Sequence, residues 1–224
     1  SKYAKEYKNH NIIQQIVAKS LVRELKFQPK RVLELGCGSG QVFNHITWDI
    51  EFYKAIDFSS SMCELHPKGE NIEVKCFDFD TQEFLDEIKD NSYDIVLSSS
   101  ALQWSKDLSK IIKQLSLITN EINAVLFTSN TFKTIQEITN TKSPILDENS
   151  IKEAFSKYFT CEFETILYKL EFDNKKDLFD YIKKSGVSGG NASLNFADAK
   201  KLYKEYNLNY LEFEVIFVKT ISKL

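Results

Sequence analysis

The chain has 224 residues, 42% of them hydrophobic and 13% aromatic, with a net charge of −3 and a pI of about 5.7. That describes a folded globular protein with a large core, and it argues against the basic surface that a nucleic-acid backbone requires. No uninterrupted apolar stretch approaches the roughly 20 residues of a membrane span. Gln14, Gln15 and Lys19 interrupt the first apolar residues where a secretory leader would be continuous, so a cytoplasmic location is expected. Cys37, Cys63, Cys76 and Cys161 form no CxxC pair, and His10, His45 and His66 stand at no metal spacing with them. Reduced thiols and no metal site are expected.

Ile12, Ile13, Ile16, Val17, Leu21 and Leu25 recur at helical spacing, which predicts an amphipathic N-terminal helix stopped by Pro29. Short β-type runs then alternate with helical patterns. "RVLEL" (31–35) is the first strand, followed by glycines and a helix start near Gln41. "FYKAID" (52–57) precedes a helix at 59–65. "IEVKCF" (72–77) precedes one near 81–89. "YDIVLSS" (93–99) leads to "DLSKIIKQLSLI" (107–118), with Asp107 as its cap. "NAVLFTS" (123–129), a helix at 147–159, a strand at 161–170 and a last strand, "LEFEVIFVK" (211–219), complete the pattern. Strands joined by helical crossovers predict an α/β fold, a seven-stranded and mostly parallel sheet with helices on both faces. The whole of 1–224 reads as one domain. Residues 1–29 form an N-terminal lid helix, 30–170 and 211–224 the Rossmann-like core, and 171–210 a helical cap inserted before the last strand.

Three of the seven glycines, Gly36, Gly38 and Gly40, fall in the turn after the first strand, at the sheet edge where ligands collect. A dinucleotide fingerprint needs glycine at position 41, which is Gln41. Instead Glu34 stands two residues before the first glycine, where it would repel a pyrophosphate and suit a ligand bearing an amino group. Asp57 closes the second strand, roughly twenty residues beyond the glycines, where a carboxylate can take ribose hydroxyls. Asp78, after the third, could accept a hydrogen bond from an adenine amino group. S-adenosylmethionine carries a ribose, an adenine, an amino acid moiety and a sulfonium but no phosphate, and it matches this set of acids and bare glycines.

The constellation resembles the class I S-adenosylmethionine-dependent methyltransferases. "SSSALQW" (98–104) looks like the segment shared by two carboxyl methyltransferase families, the malonyl-[acyl-carrier protein] O-methyltransferases of biotin synthesis and the trans-aconitate methyltransferases. "YAKEYKNHNIIQQIVAKSL" (3–21), "YIKKSGVSGGN" (181–191) and "YNLNYLEFEVIFVK" (206–219) resemble the opening helix, cap segment and closing strand of the first. The resemblance implies methylation of the free carboxylate of a malonyl thioester, with an acyl carrier protein as partner and no nucleic acid, membrane or metal. The protein is expected to be a monomer. It implies a donor site made by Glu34, Gly36, Cys37, Gly38, Gly40, Asp57, Phe58, Met62, Asp78, Phe79 and Ser98. Tyr7, Gln103 and Trp104 would lie near the transferred methyl, and Lys183, Gly186 and Asn191 would border the acyl tunnel.

Two rival readings stand beside it: a small-acid carboxyl methyltransferase of the trans-aconitate type, and a non-catalytic S-adenosylmethionine-binding protein. There is no N/D-P-P-Y sequence of the kind used to methylate amino groups of nucleobases. The glycine turn common before the fifth strand is replaced by "ITNEIN" (118–123). Arg23 and Arg31 are the two arginines, and neither stands at the carboxyl edge of a strand, so lysine, tyrosine or backbone donors would have to grip a substrate carboxylate. Tyr7 is also readable as a packing aromatic, and Trp104 more readily as a core residue than as a substrate contact. Lys169, Lys175, Lys176, Lys183, Lys184, Lys200, Lys201 and Lys204 cluster near the cap, either as a solvated face interleaved with Asp173, Asp177, Asp180 and Asp198 or as a dock for an acidic carrier.

Overall fold

The computed structural model describes residues 11–89, 91–185 and 196–223. Helix α1 (Ile12–Arg23) is followed by β1 (Arg31–Leu35), β2 (Phe52–Asp57), α2 (Ser60–Leu65), β3 (Ile72–Cys76), α3 (Gln82–Ile88), β4 (Ile95–Ser99), α4 (Leu108–Ile118) and β5 (Ile122–Phe127). Then come α5 (Lys133–Thr139), α6 (Glu148–Ser156), β6 (Phe159–Glu171), α7 (Lys175–Ser185), α8 (Phe196–Glu205) and β7 (Tyr210–Lys223). The strands form one sheet in the order β3-β2-β1-β4-β5-β7-β6. The first five strands are parallel, and β7 runs antiparallel to both β5 and β6. The chain order reverses between β1 and β4, so a crevice opens beyond their carboxyl ends. This is the class I methyltransferase architecture expected from the sequence.

The core is double because the central strands are buried on both faces and alternate their side chains. Val32, Tyr53, Ile95, Leu97, Val125 and Phe213 face α1, α7 and α8, meeting Val17, Leu21, Leu178 and Leu202. Leu33, Leu35, Ile56, Val96, Leu126 and Ile216 face the other way, onto Phe84, Ile112, Leu115 and Phe155 of α3, α4 and α6. Side-chain caps start three helices: Thr81 Oγ1 accepts from Phe84, Asp107 from Lys110 and Asp147 from Ser150. Each cap satisfies an amide that the helix leaves orphaned.

Two elements differ from the sequence expectation. After Gln41 there is a three-residue 3-10 turn, Phe43–His45, in place of a helix. The connection must return quickly to β2, and Trp48 pins it by donating its indole N–H to the Pro29 carbonyl at 2.9 Å. Conversely, α5 was not marked by periodicity. It is set off at both ends by left-handed residues, Phe132 (φ 59) and Asn140 (φ 53). Among the described residues no helix is long and apolar enough to cross a membrane.

Candidate active site

A cavity of about 480 Å³ occupies the crevice at the carboxyl edge of the sheet. Glu34, Gly36, Cys37 and Gly38 line it from the end of β1, Asp57, Phe58 and Met62 from β2 and α2, and Asp78, Phe79 and Asp80 from beyond β3. Ser99, Ser100, Ala101, Trp104 and Lys106 close the β4 side, and Gln14 reaches in from α1.

The three glycines of the turn are there for three different reasons. All have positive φ (72°, 52° and 89° in chain order), which favours glycine at each. A Cβ on Gly36 would lie 2.0 Å from the Ala101 Cβ, and one on Gly40 2.5 Å from Pro67 Cδ. Those two glycines let neighbouring segments close on the turn. A Cβ on Gly38 would meet nothing within 4 Å, so this backbone borders the cavity with space for a ligand against it.

Asp57 is nearly buried and holds the turn. Its Oδ2 accepts the Gly38 N–H at 2.8 Å, and Oδ1 accepts that of Ser59 at 2.9 Å. Burial pushes its carboxyl above the usual range, opposed by these two backbone donors. Glu34 is buried too, and takes the Tyr53 hydroxyl. Burial raises its carboxyl, opposed by His66 and Tyr53. Cys37 stays a thiol, since burial and the charge of Glu34 both raise it. Phe58 is 74% exposed beside the cavity, a flat apolar surface free to cover a ring. Asp80 was not singled out from the sequence, yet its carboxylate accepts from Ser105 Oγ and the Lys106 N–H, tying the β3 turn to the segment after β4.

Several residues implied by resemblance lie elsewhere. Ser98 is fully buried and gives its hydroxyl to the Leu35 carbonyl at 2.9 Å, bracing β4 on β1; the neighbouring Ser99 and Ser100 line the cavity instead. Gln103 is buried behind the wall, with its amide donating to the Ser100 carbonyl at 2.8 Å. That bond supports a corner in which Ser100 is left-handed (φ 61), a strained position for a serine. Gly40 packs on His66 and Pro67 rather than lining the cavity. Tyr7, Gly186 and Asn191 fall outside the described residues, as does the side chain of Lys183. Of the cap lysines, Lys169 lies 4.5 Å above the Tyr210 ring, and Lys175 donates to the Tyr203 carbonyl. Among the described residues no three His, Cys, Asp or Glu side chains converge as a metal site.

Residues 33–120, the stretch that builds this crevice, match the family described as a methyltransferase domain. Those residues form a methyltransferase domain on a class I fold, the frame of an S-adenosylmethionine-dependent enzyme. The chain's relatives include malonyl-[acyl-carrier protein] O-methyltransferases: that of Bacillus cereus is 25% identical over 84% of this chain and 78% of the relative. That of Buchnera aphidicola is 28% identical over 81% and 69%. Among solved structures, the YcgJ protein of Bacillus subtilis has a TM-score of 0.67 at 12% identity, covering 93% of the methyltransferase and 99% of that chain. That likeness concerns the fold alone.

Proposed function

We propose that this methyltransferase esterifies the free carboxylate of a malonyl thioester carried on an acyl carrier protein. The observation that carries the donor half is the bare Gly38 backbone opening on the cavity between Glu34 and Asp57. The substrate half is supported by the printed names of its relatives, malonyl-[acyl-carrier protein] O-methyltransferases.

In this reading Gly38 and Glu34 would hold the amino acid end of S-adenosylmethionine, Asp57 the ribose hydroxyls, and Phe58, Met62, Asp78 and Phe79 the adenine. The bound donor supplies an electrophilic methyl on a sulfonium. A carboxylate nucleophile is already ionised near neutral pH, with a pKa of about 4, so no general base is required. The protein's task is alignment to about 3–3.5 Å and exclusion of water. Ser99 Oγ and Ser100 Oγ have no hydrogen-bond partner among the described residues, and Lys106 is the single cation among the residues named on the cavity lining. These are the donors we assign to the substrate carboxylate in the absence of an arginine. Trp104, 45% exposed at the rim, would flank the entering acyl chain. Asn191 and Gly186 would border it from the cap, and Tyr7 from the N-terminal segment.

A labelled-methyl assay offering malonyl carrier protein, malonyl coenzyme A and trans-aconitate side by side tests the reading. Methyl ester on the carrier-bound malonyl group is the expected product. Label on trans-aconitate alone would move the protein to the small-acid class.

A further inference from the structure

Behind the glycine turn lies a polar cluster that the transfer chemistry does not use. His66, just after α2, has a fully buried side chain. Its Nδ1 lies 2.9 Å from the Pro67 carbonyl. A carbonyl can only accept, so Nδ1 carries a proton. The other nitrogen, Nε2, has no hydrogen-bond partner among the described residues and lies 3.9 Å from Glu34 Oε2. That gap suits an ion pair or a bridging water. Phe43 and Tyr53 wall the ring in, with centroids 5.6 and 6.1 Å from it. Asp57 is the other acid whose charge reaches both Glu34 and His66.

The position of this ring is built into the turn. Gly40 lacks a Cβ where one would press on Pro67 and His66, so the His66–Pro67 corner can lie directly under the loop whose far side is the donor cavity. Glu34 bridges the two sides: it lines the cavity and faces His66. With Nδ1 spent on the Pro67 carbonyl, Nε2 is the ring atom left to meet Glu34 across this gap.

We infer that His66 is a positioning residue of the donor site: its Nε2, presented to Glu34 from behind the turn, holds that carboxylate toward the cavity directly or through one water. The inference rests on the reading of this cavity as the donor site. His66 touches neither donor nor substrate and acts through Glu34.

The test is calorimetric titration of the full chain with S-adenosylmethionine and with S-adenosylhomocysteine, thermal melts confirming that each variant is folded. His66→Asn keeps an amide near the Pro67 carbonyl but removes the Nε2 position, and is expected to weaken donor binding by about tenfold, the scale of one lost polar contact. His66→Gln places an N–H close to Nε2 and should stay within about threefold of wild type. In a Glu34→Gln background the Asn substitution should add almost nothing. In methyl transfer the donor KM should rise with kcat retained. Asn and Gln variants weakened alike, or an equal loss in the Glu34→Gln background, would reduce His66 to packing and overturn the inference. A wild type that binds neither compound removes the donor reading and this inference with it. A wild type that binds both while His66→Asn binds equally well removes the inference alone.

Discussion

Asp57 grips the Gly38 amide at 2.8 Å from a strand 19 residues along the chain, so the residue read as a ribose partner is also the clasp of the glycine turn. Its two oxygens each take one backbone N–H, and the residue also lines the cavity. Replacing it would therefore remove the ribose contact proposed for it and loosen the turn that borders the cavity. Asp57→Ala is expected to weaken donor binding by about 1–3 kcal/mol, read by calorimetry. An unchanged dissociation constant would refute the role.

The same residue sets a pH dependence. Burial raises its carboxyl, so donor affinity should fall as pH drops through that raised value, because the protonated acid accepts less well. For the empty protein the sign is reversed. An acid held more firmly protonated when folded than when unfolded contributes stability at low pH. That contribution fades as pH rises from the unfolded value of about 4 through the folded one. Asp57→Asn should flatten both curves over that window. Parallel wild-type and variant profiles would show that another group titrates there.

The glycines can be separated by experiment. Gly36→Ala drives a methyl to 2.0 Å from the Ala101 Cβ, and overpacking of this kind costs about 1–3 kcal/mol in addition to left-handed strain. Gly38→Ala meets open space and should cost folding only the strain of about 1–2 kcal/mol, while donor affinity drops. Urea denaturation and donor titration on both variants should show stability lost most in the first and binding lost at the least structural cost in the second.

Ser98→Ala should do the opposite of a ligand-site change. The hydroxyl is spent on the Leu35 carbonyl within the sheet, so the variant should lose about 1 kcal/mol of stability and keep its donor affinity. A weakened dissociation constant at unchanged stability would return Ser98 to the ligand.

Thiol labelling offers a further check. Cys37 lines the cavity but burial and Glu34 keep it protonated, and burial pushes Cys63 and Cys161 up to about 11. The thiolate is the reactive form. At pH 8 iodoacetamide should modify exposed Cys76 first, with Cys63 and Cys161 gaining reactivity as pH rises toward 11 and Cys37 staying inert. Peptide mapping of the alkylated protein reads this directly.

The sheet, its helices and the edge at which the cavity opens were legible because they depend on short-range patterns. Period-two runs such as "RVLEL" and helical spacing such as that of "DLSKIIKQLSLI" are local properties, and Asp107 caps its helix as its sequence position suggests. The acids after successive strands were readable for the same reason, since parallel strands bring their carboxyl ends to one edge. Helix α5 is less visible because it starts at a left-handed Phe132, which carries no start signal, and only its C-terminal Asn140 is of a type that favours that conformation. The connection after Gln41 is a 3-10 turn and not a helix because a long-range bond, Trp48 to Pro29, holds it, and such a bond leaves no local pattern.

Sequence by itself determined the class of fold, the order of its elements and the strand ends where a nucleoside would lie, since burial periodicity and bare glycine are written residue by residue. Only the tertiary structure decided which side of the wall each residue occupies. Ser98 and Ser99 are neighbours, yet one is consumed by the sheet and the other lines the cavity. Gly36, Gly38 and Gly40 look alike in the chain but answer to Ala101, to open space and to Pro67. The reason is that alternation along a strand is local, whereas the atom that meets a side chain comes from a distant segment brought in by the closing of the whole sheet.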